Sequence, residues 1–353
     1  MTKTETSDKT RSDAPERDVS DRDMPDRRGR PGRLIASESA RITRRITLMS
    51  LSIGIILIIA KAIVWRASGS VGILSSLVHS TLDFFAAAAS FVSVRYAARP
   101  PTPKYRFGRG KAEGFSAIFQ VCLIALAGVH LLEAALLRIE HPEAISQSGM
   151  AIGVMVLAIG LTVWLIIAQG WAIRATGSLA VRGDRAHFTA DMLTNVAVIA
   201  GLVLSTHTGF VRADALVGLG ISLWLFYTGY KVARLAWRQL MDMELPEDER
   251  ALIRDLALQD SRISGIHDLR TRVAGPHVHI QMQIDLDDDL SLHKAHDIVL
   301  AAEKRIMEAY PAADILIHPH PKGCADYHGN AVFHQDHRQA TSDTACQNPN
   351  HKH

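Results

Sequence analysis

Two histidine–aspartate pairs stand inside apolar stretches of the sequence, where ionisable side chains are rare. His79 and Asp83 lie in one stretch, and His187 and Asp191 lie in another. On a helix, residues spaced i and i+4 share one face, so imidazole and carboxylate lie one turn apart. A charged group deep in an apolar span costs about 3 kcal/mol on insertion scales and is usually functional. Two such faces in contact supply two nitrogens and two oxygens, which predicts a pathway for metal ions or protons.

The ligand types favour zinc over other ions. Zinc takes neutral imidazole and carboxylate ligands in tetrahedral sites. Copper(I) prefers thiolate or thioether ligands, and calcium takes more oxygens. Iron(II), cadmium, cobalt and nickel remain competitors for the same four ligands. A transporter of broader specificity is therefore kept as an alternative.

Two other classes of function use similar residues. An intramembrane metallohydrolase needs three protein ligands, an open water position and a general base. Four ligands with no separate base argue against an enzyme. A membrane metal sensor, in which this site is structural, remains as a second alternative.

Three further polar residues lie in the apolar stretches. Asn195 is one turn beyond Asp191 and either orients a ligand or forms a hydrogen bond between helices. Lys61 lies near the outer end of the first stretch, and we expect its ammonium group to extend to the membrane surface. His130 stands alone in the third stretch and is interpreted as a packing residue.

The elements that must position these residues are six apolar stretches of about 20 residues, the length that crosses a bilayer. In lipid, backbone groups must be satisfied within the segment, so the stretches are predicted to be helices. The chain is 48% hydrophobic. We expect an all-α six-helix transmembrane domain over residues 46–240. Its spans are 46–65, 71–94, 115–137, 150–173, 187–204 and 215–232.

Basic residues cluster before the first stretch, in the second and fourth loops, and after the sixth stretch. By the positive-inside rule, both termini are predicted to be cytoplasmic in a multi-pass protein of the inner membrane. The net charge of +3 is too small to argue for a nucleic-acid partner. The lipid bilayer is the expected environment.

The flanking segments differ in composition from the membrane half. Residues 1–45 are polar and predicted to be a disordered cytoplasmic tail, with no cleavable signal peptide. Residues 241–321 alternate as α-β-β-α-β, which predicts a small cytoplasmic α+β domain. Residues 322–353 form a His-rich tail that is predicted to be disordered and either captures zinc loosely or is inert. The three cysteines lack metal-site spacing and are interpreted as free thiols.

Several motifs together resemble the cation diffusion facilitator family, in particular its bacterial zinc and iron efflux members, over roughly residues 43–321. The motifs are GSV at 69–71, LVHSTLD at 77–83, FGRGKAE at 107–113, DRAHFTADMLTN at 184–195 and GIHDLRTR at 265–272. The resemblance implies six transmembrane helices, a copper-chaperone-like cytoplasmic domain, a homodimer, and antiport of metal ions against protons. It places the transport site on His79, Asp83, His187 and Asp191. Zinc is then transported and regulatory, and no cofactor is implied.

The resemblance also implies two sites that depart from the family pattern. In the loop before Lys111, Thr102, Tyr105 and Arg109 replace an acid and two histidines, so we expect no loop metal site. In the cytoplasmic domain, Gln283 replaces a histidine and His320 replaces an acid, so a regulatory site is expected in altered form. Its matching histidines are His267, His296, His318 and His320, while His277, His279 and His293 are alternative ligands.

Two further expectations concern charges at the cytoplasmic end of the helices. By the same resemblance, Lys111 and Asp242 are expected to pair at the membrane–cytosol junction of the dimer. We also expect Arg182, Asp184 and Arg185 to line a vestibule through which metal reaches the fifth helix.

Overall fold

The computed structural model describes residues 30–69, 71–140, 149–208 and 213–322. Six long helices come first, and five of them are long and apolar enough to cross a membrane. The exception is the fifth helix, which carries Arg182, Asp184 and Arg185 in its first turns. The helices are α1 (Ala36–Ser68), α2 (Val71–Ala97), α3 (Ala112–Glu140), α4 (Gly149–Thr176), α5 (Leu179–Thr208) and α6 (Ala213–Leu240).

Packing on two sides fixes the rotation of α5, which carries one of the His–Asp pairs. Phe188, directly after His187, packs in a buried cluster with side chains of α1, α2 and α4. Ala190, directly before Asp191, packs in a second cluster with side chains of α3 and α6. Because both clusters are close-packed, α5 cannot rotate without opening a cavity.

The second domain has the predicted order of elements and three strands in one sheet, which confirms the α+β prediction. The three strands lie side by side in chain order, with the first antiparallel and the third parallel to the second. Alternate residues of the second strand, from Val278 to Leu286, are buried in a core shared with the two helices. The elements are α7 (Glu247–Leu258), β1 (Gly265–Ala274), β2 (His277–Leu286), α8 (Leu292–Ala309) and β3 (Ala313–Pro321).

The loop between α2 and α3 docks onto the β1–β2 turn of the cytoplasmic domain. A Cβ atom added to Gly110 would lie 1.9 Å from the Ala274 carbonyl oxygen, so only glycine fits this contact. The Phe107 ring lies 4.6 Å from the Arg272 guanidinium and 5.6 Å from the His279 ring. The two domains therefore contact each other at a second place besides the chain connection after α6.

The expectation of a disordered tail to residue 45 is wrong for residues 30–45. The α1 helix begins at Ala36, because residues 36–45 contain good helix formers that the hydropathy pattern does not detect. Just before it, the Arg33 guanidinium donates to the Glu249 carboxylate at 2.8 Å in the cytoplasmic domain. The rest of the N-terminal tail, and the C-terminal tail from residue 323, lie outside the described residues. The tail histidines, Cys324 and Cys346 are among them, whereas Cys122 is free and exposed.

Candidate metal centre

The α2 and α5 helices bring all four side chains of the two His–Asp pairs together. His187 Nε2 lies 3.2 Å from Asp83 Oδ1 and 3.4 Å from Asp191 Oδ2. His79 Nε2 lies 3.3 Å from Asp191 Oδ1 and 3.7 Å from Asp83 Oδ1. Each imidazole therefore faces both carboxylates, one from its own helix and one from the other.

The separations fit a small tetrahedral ion. Ligand atoms about 2.0–2.1 Å from a zinc ion at tetrahedral angles are roughly 3.3 Å apart. The ligand atoms of His79, Asp83 and Asp191 all lie within 4.8 Å of one another, the single such group of three among the residues that the structure describes. These three residues can hold one divalent cation, and His187 Nε2, 3.2 Å from Asp83 Oδ1, offers a fourth ligand.

Burial differs among the four side chains. The His187 side chain is 7% exposed, and those of Asp83 and Asp191 are each 12% exposed. The His79 side chain is 52% exposed. An ion at this centre is therefore enclosed on three sides and reaches solvent or lipid on the side of His79.

A buried polar junction holds α5 one turn before His187. The Asp184 carboxylate accepts hydrogen bonds from Ser50 Oγ at 2.7 Å and Gln169 Nε2 at 2.8 Å. Asp184 is fully buried, so the vestibule interpretation is wrong for this residue. Its side chain joins α5 to α1 and α4 because an acid in the interior needs donors. Of the two arginines predicted beside it, Arg185 is exposed and Arg182 is half-buried.

The interpretation of Lys61 as a residue that extends to the membrane surface is also wrong. Lys61 is 9% exposed. Its ammonium donates to Ser80 Oγ at 2.6 Å and to the Ser76 carbonyl oxygen at 3.3 Å. The reason is that α2 offers two acceptors inside the helix bundle, one hydroxyl and one backbone carbonyl.

Two other polar residues of the apolar stretches, Asn195 and His130, differ in their position relative to this centre. Asn195 is half-buried one turn beyond Asp191 on α5. His130, interpreted as packing, is instead exposed on α3.

In the loop before α3, Arg109 donates to Thr102 Oγ1 at 3.3 Å, and its guanidinium lies 4.4 Å from the Tyr105 ring centre. These three loop residues thus contact one another.

Three strand histidines of the cytoplasmic domain, His267, His318 and His320, lie in two neighbouring rows of the sheet. His267, Gln283 and His318 are paired across the three strands, and His320 is paired with Asp285. His267 Nε2 lies 2.6 Å from Asp285 Oδ2. The rings of His318 and His320 are 4.6 Å apart.

His296 is exposed on α8. This helix contributes Ile298 and Ala302 to the core on the opposite face of the sheet. One chain therefore does not gather all four predicted histidines. Burial also lowers the pKa of the alternative ligand His277 below its ordinary value, which keeps that imidazole neutral at physiological pH.

Sequence reasoning missed several residues of these sites. Asp285 supplies an acid beside His267, and the signal was available, because strand alternation puts residues 283 and 285 on one face. Nothing in the sequence indicates that Ser50 and Gln169 bind Asp184, since uncharged polar residues are common in membrane spans.

Lys111 and Asp242 lie together at the membrane–cytosol junction. Lys111 Nζ is 2.8 Å from Asp242 Oδ2 within one chain and also donates to the Leu240 carbonyl oxygen at 3.3 Å. Asp242 has a φ of 51° in the turn after α6. The pair therefore fastens the start of α3 to the end of α6.

Comparison with known proteins matches both domains. Residues 47–241 match the family model described as cation efflux transmembrane domain, and residues 245–322 match that of the cation efflux protein, cytoplasmic domain. The cation-efflux pump FieF of Serratia proteamaculans is 36% identical over 282 residues, which covers 80% of this chain and 94% of that protein. The FieF proteins of Cronobacter sakazakii and Salmonella arizonae are 36% and 34% identical over 281 residues, covering 80% of this chain and 93% of each relative.

Proposed function

The chain belongs to the cation efflux family of divalent metal transporters in the inner membrane, and we propose that it exports Zn²⁺ from the cytosol in exchange for protons. Membership confirms the resemblance to the cation diffusion facilitators and the prediction that the protein is not an enzyme. The proposal adds the metal, the proton coupling, a homodimer and cytoplasmic termini.

The observation that carries the proposal is the four-residue centre between α2 and α5. Imidazole nitrogens and carboxylate oxygens 3.2–3.7 Å apart suit an ion of the size and ligand preference of zinc. Iron(II), cobalt, nickel and cadmium share much of this preference, so zinc is proposed as the main substrate among several. The same four side chains could also hold a structural ion that is never transported. Transport must therefore be measured directly.

Proton exchange follows from the ligands themselves. A metal ion binds deprotonated imidazole and carboxylate, so protons compete for the same four groups. If the centre faces the two sides of the membrane alternately, protons from outside displace the metal ion. These protons are then carried to the cytosol when the centre faces inward again. Each cycle then moves a metal ion outward and protons inward.

We also propose a second, regulatory zinc site on the cytoplasmic sheet. His267, His318 and His320 lie on neighbouring rows beside Asp285, and imidazole with carboxylate is again a zinc ligand set. We assign the fourth histidine, His296, to a second copy of the chain, since its own helix covers the other face of the sheet.

The test is zinc transport in proteoliposomes with a zinc dye and a pH dye. Wild type should move Zn²⁺ and dissipate an imposed pH gradient, whereas Asp191→Ala should do neither. The matched control is Glu247→Gln, which removes an exposed acid held by Arg254 in the second domain and should transport like wild type. Zinc movement that leaves the pH gradient intact would refute the antiport. A cytosolic response to zinc without any transport would favour the sensor.

A further inference from the structure

A buried ammonium group lies beside the transport centre and belongs to neither His–Asp pair. Lys61 on α1 is 9% exposed, and Ser80, which receives its hydrogen bond of 2.6 Å, is 2% exposed. Ser80 directly follows His79 on α2. The Lys61 ammonium is therefore hydrogen-bonded to the residue that directly follows His79, one of the four side chains of the centre.

The hydrogen-bond acceptors of Lys61 do not balance its charge. Ser80 Oγ and the Ser76 carbonyl oxygen are both neutral. Its electrostatic attraction is to Asp83 and Asp191, the two carboxylates of the centre. Burial of an unbalanced ammonium is expensive, so these two acids are the groups that stabilise it.

The same attraction opposes binding of a divalent ion. Without metal, the two carboxylates face one fixed positive charge. When a divalent ion enters, it neutralises the carboxylates, and Lys61 is left beside a cation. A transporter must release its substrate as well as capture it, so a fixed charge that weakens capture also speeds release.

We propose that Lys61 determines the metal affinity of the transport site, by providing a buried counter-cation that competes with the bound ion for Asp83 and Asp191. The inference rests on the proposed transport function of this centre. Loss of the charge should tighten Zn²⁺ binding by about tenfold or more, because one unit charge near a divalent ion has at least this effect at an effective dielectric constant of about 20. Tighter binding slows release, so both KM and kcat for transport should fall.

The experiment compares Lys61→Met, Lys61→Gln and Lys61→Arg in the full chain. Met and Gln remove the charge, Gln keeps a hydrogen-bond donor, and Arg keeps both charge and donors. Equilibrium dialysis with radioactive zinc measures affinity, and binding at the transport site is the part that Asp191→Ala removes. Transport kinetics in proteoliposomes give KM and kcat for the same variants.

We expect the Met and Gln variants to bind zinc more tightly and turn over more slowly, with Arg close to wild type. A purely structural role for Lys61 would instead weaken binding in all three variants. Binding in Met and Gln at or below the wild-type affinity would overturn this inference alone. If Asp191→Ala removes no zinc from wild type, the proposed function itself fails.

Discussion

The Glu113 carboxylate of α3 accepts a hydrogen bond of 2.6 Å from the Ser178 hydroxyl, at the start of α5. It also accepts one of 3.1 Å from the Leu179 amide. A carboxylate from one helix thereby caps the positive end of another, an arrangement favoured by the helix dipole. The orientation of α5, and with it His187 and Asp191, depends on a residue two positions from Lys111 and its partner Asp242.

We predict that Glu113→Gln lowers both stability and transport. Gln keeps one acceptor but places an amide N–H against the donors of α5, and loss of a buried hydrogen bond costs about 1–3 kcal/mol. The thermal unfolding midpoint should fall by several degrees, and zinc transport by several-fold.

The matched control is Glu133→Gln, because Glu133 is an exposed acid on the same helix. It should keep the unfolding midpoint of wild type. Equal midpoints for both variants would show that the Glu113 cap does not hold α5.

Arg33→Ala should destabilise the contact between the N-terminal segment and the cytoplasmic domain. The Arg33 side chain is 1% exposed and that of Glu249 is 2% exposed. Arg33 also lies 4.1 Å from the Tyr310 ring centre. Burial raises the pKa of the Tyr310 phenol above its ordinary value, so the phenol stays protonated and donates to Glu249. Glu249 also pairs with the half-buried Arg30, which remains in the variant, so loss of Arg33 should cost about 1–3 kcal/mol, as for a hydrogen bond to a charged group.

The control for Arg33 is Arg254→Ala, which breaks a surface pair with Glu247 and should cost under about 1 kcal/mol. Thermal unfolding of the purified variants measures both effects. A midpoint for Arg33→Ala equal to that of Arg254→Ala would contradict the buried contact.

His79→Asp should change metal selectivity. It replaces a nitrogen ligand by an oxygen at the most exposed of the four positions, which favours harder ions such as Mn²⁺ and Fe²⁺ relative to Zn²⁺. Transport of each metal in proteoliposomes should show a several-fold lower ratio of zinc to manganese. His130→Asp, a change of an exposed histidine on α3, should leave the ratio unaltered. The same shift in both variants would argue for a surface-charge effect.

Asp285→Asn tests the altered cytoplasmic site. The acid lies 2.6 Å from His267 Nε2, and loss of a ligand or of a carboxylate that orients one lowers metal affinity about 10–100-fold. Zinc titration is done with Asp191→Ala present, so that the transport site does not contribute. Unchanged affinity would remove Asp285 from the site.

The sequence indicates which helix faces carry the two His–Asp pairs because that signal is local. Spacing of i and i+4 on two apolar helices depends on each helix alone, and hydropathy locates the helices. Hydropathy does not locate the start of α5, since the first turns of this helix contain Arg182 and Asp184. It does not locate the start of α1 either, because the first turns of α1 are also polar.

Contacts between distant segments cannot be deduced from local patterns. Arg33 and Glu249 are 216 positions apart, and neither belongs to a recognisable motif. The prediction for Lys61 is wrong because a lysine in an apolar stretch can lie either at a helix end or against polar groups of a neighbouring helix. Only the packing of α1 on α2 decides between these two positions. His296 was grouped with strand histidines by resemblance, whereas the fold of one chain puts its helix on the other face of the sheet.

Zinc-edge anomalous scattering from crystals of the zinc-loaded protein would locate the ion between α2 and α5. We predict a peak about 2.0–2.2 Å from His79 Nε2, His187 Nε2 and one oxygen each of Asp83 and Asp191. A zinc-loaded protein with peaks only in the cytoplasmic domain, and none between α2 and α5, would contradict it.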